Sequence, residues 1–600
     1  MRWVLMCLAI VMACRVPAQV PATQAWYTQQ AYAEKQVVVL NNAKGAVPVR
    51  SLLSLSVAVL HNGCRHAAVF DSIVRKYVPA VAFDVTAVNS EAAFDSLHDQ
   101  LKYYNLLVVE LSEDSRLDAA FLSFLQREAG DSRVFYILGG SGKKLSLLDG
   151  ISAPVIWYNQ DNAAGASCAA QVLFGGVAAV NRLDARYSAR YTKGSGYTTI
   201  ATRLGYAVPE TVHMNSRRLL AVDTIMAEAI AAKAAPGGVI AVVKNGRVVF
   251  SKAYGKHTYD GIEPVVTDDI FDLASVTKIA ATTLAAMRLY DAHQLSIDSP
   301  LSAYIARTRA IADKKDIRVK EVLLHQAGFV PFIPFYEQMK PGDCSKDSSA
   351  AYSTKVADGY FVRANYFNEV MWPAMLQAPA ATRGKYVYSD LSMYYMKEVI
   401  EETAHRPLQA YMPDTFYKQL GLQATGYLPR TRFDKNRIIP TVEKDGWFRD
   451  MPLQGYVHDP GAAMAGGVSG HAGLFANAND LAILFQMVLN KGVYGGERYL
   501  KAATVELFTA RQSAVSRRGL GFDRYDPDTA QHYPSSLASP QTYGHTGYTG
   551  TAVWVDPASE LIFIFLSNRV YPVDVGRGAP LMKLNIRGRI MDEFYRAMEK

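Results

Sequence analysis

Between about residue 30 and residue 180, short aliphatic and β-branched runs alternate with longer stretches of helical periodicity. "KQVVVL", "SVAVL", "AVAFDV", "NLLVVEL", "RVFYILGG" and "APVIWY" are nearly continuous apolar runs of strand length. Between them, "AAFDSLHDQLKYYN" and "LDAAFLSFLQREAG" place apolar residues at i, i+3 and i+4. Strands apolar on both faces need cover on both sides. The pattern therefore predicts an α/β sandwich domain with a mainly parallel sheet over residues 30–180.

The pattern changes after residue 215. "SRRLLAVDTIMAEAIAAK" reads as a helix, and "GGVIAVVKNGRVVFSKAYG" as a hairpin turned at Asn245-Gly246. A second hairpin, "TAVWVDPASELIFIFLSN", lies near the C-terminus and a last helix follows it. Strands drawn from both ends of residues 216–600 imply one antiparallel sheet flanked by helices, an α+β domain. The stretch 181–215, rich in Gly, Ser, Thr and Tyr, reads as an extended linker draped over a surface. Phe329 to Lys385 is rich in aromatic residues, which suits the border of a cleft and the core of a subdomain equally.

The first residues, "MRWVLMCLAIVMACRVPAQ", have the form of a secretory signal: Arg2, then an apolar run from Val4 to Ala13 too short to cross a bilayer. Cleavage after Ala18 is the favoured reading, with residues 1–18 as signal peptide; lipidation of Cys14 is the second. Either way an exported protein is expected, periplasmic or outer-membrane-associated, without a transmembrane segment.

A chain of 600 residues exceeds one ordinary core. Its net charge of +8 is scattered, which argues against a nucleic-acid partner. Cys64, Cys168 and Cys344 show no C-x-x-C spacing; buried free thiols are favoured over a Cys64–Cys168 disulfide. "LGGSGKK" fails as a phosphate loop, with Ile137 where its first glycine belongs and Lys144 where Ser or Thr does. His458-Asp459 is a single pair, and H-E-x-x-H is lacking, so neither metal nor cofactor is expected.

Candidate chemistry is concentrated in three places. "FDLASVTKIAATTLAAMRLYD" puts Ser275 and Lys278 three residues apart at the head of a helix that reads as amphipathic. A hydroxyl is a poor nucleophile without a base in reach, and this spacing sets an amine beside it. "GKYVYSDLSMYYMKEVIEE" carries Tyr388-Ser389-Asp390 at another helix start, and "YGHTGYTGTAVWVD" carries His545-Thr546-Gly547 on a strand.

Together, in this order, the three elements resemble those of the β-lactamase-related and penicillin-binding serine hydrolases, nearest the class C, aminopeptidase and esterase branch. The resemblance covers nearly all of residues 215–600 and includes "VKEVLLHQAGF" and "AGGVSGHAGLFANANDLAILFQMVLNKG", where His325 and His471 sit in structural phrases. It implies Ser275 as acylated nucleophile, Lys278 as its partner, Tyr388 as acid/base with phenolate-like character, and His545 in place of the usual lysine. The amides of Ser275 and Tyr548 would form the oxyanion hole; Asp390, Thr546 and Gly547 would face substrate. Asp390, where the family has Asn, would pair with Lys278 and leave Tyr388 as the better proton acceptor. The implied substrate is a small molecule, peptide or peptidoglycan-derived amide or ester; the alternative is an inactive penicillin- or glycan-binding protein or a glycosidase accessory. "EKQVVVLNNAKGAVPV" followed by "SVAVL" resembles the C-terminal α/β sandwich domain of family 3 glycoside hydrolases, without room for the catalytic barrel that normally precedes it.

Overall fold

The computed structural model describes residues 19–131, 133–574 and 580–598, so the signal reading of residues 1–18 and the lipidation reading of Cys14 lie outside the described residues. The first described element is a helix the periodicity does not announce, α1 (Gln19–Gln36). Then come β1 (Val38–Leu40), β2 (Val57–Asn62), α2 (Ala67–Tyr77), β3 (Ala80–Asp84), α3 (Glu91–Leu101), β4 (Leu106–Leu111), α4 (Ala119–Asp131), β5 (Arg133–Gly139), β6 (Val155–Tyr158) and α5 (Ala163–Phe174). The sheet order is β1-β6-β5-β4-β2-β3; β1 runs antiparallel to β6 and the other pairs are parallel.

Strand periodicity of two sorts the apolar runs between two cores. Val57, Val59, Leu106 and Val108 meet α2 and α5 on one face. Ala58, Leu60, Leu107 and Val109 meet Phe94, Leu97, Phe121 and Phe124 of α3 and α4 on the other. This doubly covered sheet explains the near absence of alternation in those runs.

The second sheet is built from β7 (Gly205–Tyr206), β8 (Gly237–Lys244), β9 (Arg247–Gly255), β10 (Asp523–Arg524), β11 (Tyr543–Thr546), β12 (Ala552–Asp556) and β13 (Leu561–Ser567), in the order β10-β11-β12-β13-β8-β9-β7. All pairs are antiparallel except β7 with β9. Asn245 and Gly246 turn the β8–β9 hairpin with φ of 50° and 72°, the left-handed pair such a tight turn requires. One face of the sheet packs against α6 (Leu220–Ala231) and the C-terminal helix Ile586–Met598 through Trp554, Phe563 and Phe565. The other face covers the main helical core with Val239, Ala241, Val553 and Ile564. That core takes in Phe335, Tyr366, Met371 and Trp372 from the aromatic stretch.

The segment between the two halves is ordered and belongs to both. Tyr197 N donates to Val39 O (2.8 Å), and the buried Arg203 guanidinium donates to Val49 O (2.7 Å) and Phe174 O (2.8 Å). Two residues on, Gly205–Tyr206 becomes the edge strand of the second sheet. Tyr206 Oη donates to Asn479 (2.7 Å), and Arg247 grips Glu34 of α1 through two bonds of 2.7 and 2.8 Å. Cys64, Cys168 and Cys344 are all free thiols, but of the three only Cys168 is buried: Cys64 is half-buried and Cys344, on a short surface strand, is exposed.

Candidate active site

From Phe271 to Met287 every residue is buried except Ser275. The helix that reads as amphipathic is therefore enclosed on all sides, which its run of Ala and Thr permits at close approach. Local geometry pushes Ser275 outward. Ala274 sits at φ +44°, costly for a residue with a Cβ. Asp272, buried, holds that turn by accepting from Ala274 N (2.9 Å) and also accepts from His458 N (2.7 Å). Burial raises the Asp272 carboxyl to about 6. A single 3₁₀ turn (Ala274–Val276) and a π turn (Lys278–Thr282) follow before α7 (Thr283–Asp291); such irregular turns recur at functional sites.

Ser275 Oγ lies 2.8 Å from Lys278 Nζ and 3.0 Å from the Tyr388 hydroxyl. Lys278 also donates to Asp390 Oδ1 (2.7 Å) and to His471 O (3.3 Å), and its side chain is fully buried. Burial alone depresses the amine, but the Asp390 charge outweighs it with help from Tyr388, and the net shift is upward. Lys278 is thus an ammonium paired with a carboxylate. Tyr388 and Asp390 stand at the entry to α8 (Leu391–Ala404). Burial raises the Tyr388 phenol, and Lys278 offsets this only in part. The phenolate-like character implied by the resemblance is therefore corrected: Tyr388 rests as a neutral phenol.

Two histidines flank that phenol, with ring centroids 4.7 Å (His325) and 6.0 Å (His545) from it. His325 Nδ1 accepts from Ser389 N (3.2 Å), and burial holds its pKa well below the ordinary value. His545 Nδ1 donates to Thr546 O (2.7 Å), leaving its buried Nε2 without a hydrogen-bond partner among the described residues. Burial, then the Arg518 and Lys278 charges, push His545 down to about 3. It is a neutral acceptor, and the fixed cation on this side is Arg518. That guanidinium is buried, 5.4 Å from the Tyr388 ring, and its Nε donates to Tyr386 Oη (3.2 Å).

The loop after β11 is tied to the turn before Ser275. Thr549 Oγ1 donates to Asp272 O (2.7 Å) and Thr551 Oγ1 to Leu273 O (2.9 Å). Gly547 closes the approach, since a Cβ there would stand 2.4 Å from Leu273 O. Tyr548, next in the chain, is 38 % exposed with Arg569 over its ring at 4.4 Å and His458 stacked at 5.8 Å. Thr546 is half-buried beside it.

The arrangement brings Ser275, Lys278, Tyr388 and Asp390 into one hydrogen-bonded cluster, with His545, Thr546, Gly547 and Tyr548 along its rim. The sequence reading missed Arg518, which lies in an unpatterned loop, and the chain Asp459–His471–Ser469, linked by contacts of 2.8 Å, whose His471 carbonyl steadies Lys278.

A hydroxyl held between an ammonium and a phenol, beside a strained turn and a tethered strand loop, is the arrangement of a serine β-lactamase-like hydrolase. Residues 222–585 match the family described as Beta-lactamase, and the chain belongs to that family. It is 34% identical over 386 residues to a Bacillus subtilis (strain 168) protein named N-acetylmuramyl-L-alanine amidase, spanning 60% of this chain and 83% of that one. It is 30% identical over 422 residues to an Escherichia coli (strain K12) protein named "Putative D-alanyl-D-alanine carboxypeptidase", spanning 65% and 93%. The solved structure of EstCE1, a hydrolase with promiscuous acyltransferase activity, aligns at 21% identity and a TM-score of 0.47, covering 63% of this chain and 99% of that one. The family match leaves residues 1–221 outside it.

Proposed function

We propose that the protein is an exported amidase that cleaves an amide bond in peptidoglycan-derived peptides through an acyl-Ser275 intermediate. The observation that carries this is the placement of Ser275 Oγ 2.8 Å from Lys278 Nζ and 3.0 Å from the Tyr388 hydroxyl. The names of the relatives, N-acetylmuramyl-L-alanine amidase and "Putative D-alanyl-D-alanine carboxypeptidase", support the substrate class.

Protonation states shape the mechanism. With Tyr388 neutral and Lys278 charged, neither is a resting base. Ser275 instead passes its proton to the Tyr388 oxygen as Tyr388 passes its own to the leaving nitrogen, while Oγ bonds to the carbonyl carbon. The Lys278 ammonium steadies the developing charge on Oγ. The amides of Ser275 and Tyr548 receive the carbonyl oxygen as it becomes an oxyanion. In deacylation a water attacks the ester carbon, and its proton returns through Tyr388 to Ser275 Oγ. Thr546, Gly547 and Asp390 line the substrate's path. With His545 neutral, the fixed cation on this side of the site is Arg518, over the Tyr388 ring. Export through residues 1–18 and the likeness of the N-terminal domain to a family 3 glycoside hydrolase sandwich are parts of the same reading, that domain serving as an accessory.

The test is a panel of muropeptides, D-Ala-D-Ala peptides, D-amino-acid amides, esters and cephalosporins, read by mass spectrometry on wild type and Ser275→Ala. Amide cleavage and an acyl adduct of the intact chain, both lost in Ser275→Ala, are expected. Muropeptide binding without any adduct in the wild type would establish a binding protein instead.

A further inference from the structure

We propose that the carboxyl ends of β2 and β4 form a zinc-type metal site, with His61 Nδ1, Cys64 Sγ and a Glu110 carboxylate oxygen as ligands and Asp71 orienting the imidazole. The topology locates it. From β2 the chain moves to β3 on one side, then crosses back over β2 to β4 on the other. The crevice beyond the ends of β2 and β4 is thus the switch point, where open parallel sheets bind their ligands.

Three separate features converge there. His61 and Glu110 are register partners on adjacent parallel strands, so their side chains leave the same face. Gly63, at φ +68°, reverses the chain directly after β2 and brings Cys64 Sγ to 3.1 Å from Glu110 O. The ligating atoms of His61, Cys64 and Glu110 all lie within 4.8 Å of one another. The imidazole is oriented by a carboxylate at each nitrogen, and an ion would enter by taking the place of the Nδ1 proton as the His61–Glu110 pair opens. Its Nδ1 faces Glu110 Oε2 at 2.6 Å, and its Nε2 faces Asp71 Oδ1 at 3.0 Å. A carboxylate accepting from the far nitrogen of a ligating histidine is the usual support.

The charge balance fits a divalent ion. Two buried carboxylates flank one ring, and the positive charge between them is supplied by the imidazolium or by an ion that replaces its proton. Zn²⁺ binding would displace one proton from His61 Nδ1 and one from the Cys64 thiol. The three ligands carry +1, −1 and 0 before; with the ion they carry 0, −1 and −1 beside +2, so the net charge is unchanged. One nitrogen, one sulfur and one oxygen ligand suit zinc, and Cys64 is half-buried. The other clustered set, Asp390, Asp459 and His471, already surrounds the Lys278 ammonium and belongs to the serine site.

The test uses the tag-free full-length chain, stripped with chelator and kept under a phosphine reductant. Zinc is titrated against a chromophoric competitor, proton release is followed in weak buffer, and Co²⁺ is added as a spectroscopic probe. Expected are one tightly held zinc, two protons released, and a thiolate-to-cobalt charge-transfer band. Cys64→Ser should remove the band and weaken zinc by more than ~100-fold, and Asp71→Asn by roughly 10–100-fold. Thermal melting of the metal-free variants checks that they fold. Absence of stoichiometric zinc in the wild type, or zinc and cobalt signals that persist in both Cys64→Ser and His61→Gln, would overturn the assignment.

Discussion

Replacing Asp390 by Asn separates the two roles open to Lys278. The nitrogen and oxygen stand 2.7 Å apart, the amine is fully buried and the carboxylate side chain is 26 % exposed. At an effective dielectric constant of ~20, charges at that separation attract by about 6 kcal/mol. The Asn oxygen still accepts a hydrogen bond from the ammonium, which retains roughly 1.5–3 kcal/mol. The net loss is about 3–4.5 kcal/mol, all of it lost from the charged form of Lys278, so its pKa falls. In the wild type that pKa is held above the ordinary lysine value, so the ammonium persists through the working range. Asp390→Asn should therefore move the alkaline limb of kcat/KM down by about 2–3 pH units and leave the rate at pH 7 unraised. The assay is a pH profile of acylation with an activated ester, read as burst amplitude and rate. If Lys278 acts as a free base, the variant acylates faster at pH 7, and the relay through Tyr388 is wrong.

Three more outcomes follow from the same cluster. His545 is held near 3 in the folded protein against an ordinary 6.5, so the unfolded chain binds its proton first as pH falls below 6.5; the His545 contribution to stability should drop by about 1.4 kcal/mol per pH unit below 6.5, and denaturant titrations of His545→Gln against wild type should show a difference that changes by about 2 kcal/mol between pH 6.5 and 5. Arg518→Met removes the cation over Tyr388 while Arg517 keeps its bonds of 2.7 and 3.0 Å to Asp523, so the melting temperature should hold and kcat/KM should fall by roughly 10-fold. Gly547→Ala places a Cβ 2.1 Å from Thr551 Oγ1 and 2.4 Å from Leu273 O; kcat should fall by ~100-fold, and an unchanged kcat would show that the strand loop does not set the position of Ser275.

Much of the architecture was legible because it is written locally. The runs that became β2, β4 and β5 are apolar on both faces, and their environment demands that. Asn245-Gly246 announces its own turn. The S-x-x-K spacing is legible since three residues fix it, though the turns that deliver it, 3₁₀ then π, have no periodicity to betray them. The helix α1 was missed because its Gln, Ala and Tyr residues form no apolar stripe. Arg518 and the Asp459–His471 pair were missed because only tertiary folding sets them beside Tyr388 and Lys278. The ionisation of Tyr388 was misjudged for a related reason: the cations around it were foreseeable, whereas the depth of burial that overrides them was not.

Gly205–Tyr206 has a practical consequence. Although residues 222–585 carry the family match, the strand that finishes the second sheet lies upstream of it. A fragment started at residue 216 would bare the outer rim of β9 and orphan Arg247 from Glu34. Naked strand margins recruit one another, so such a piece is expected to clump on expression, whereas one begun at Gln19 keeps its hem sewn.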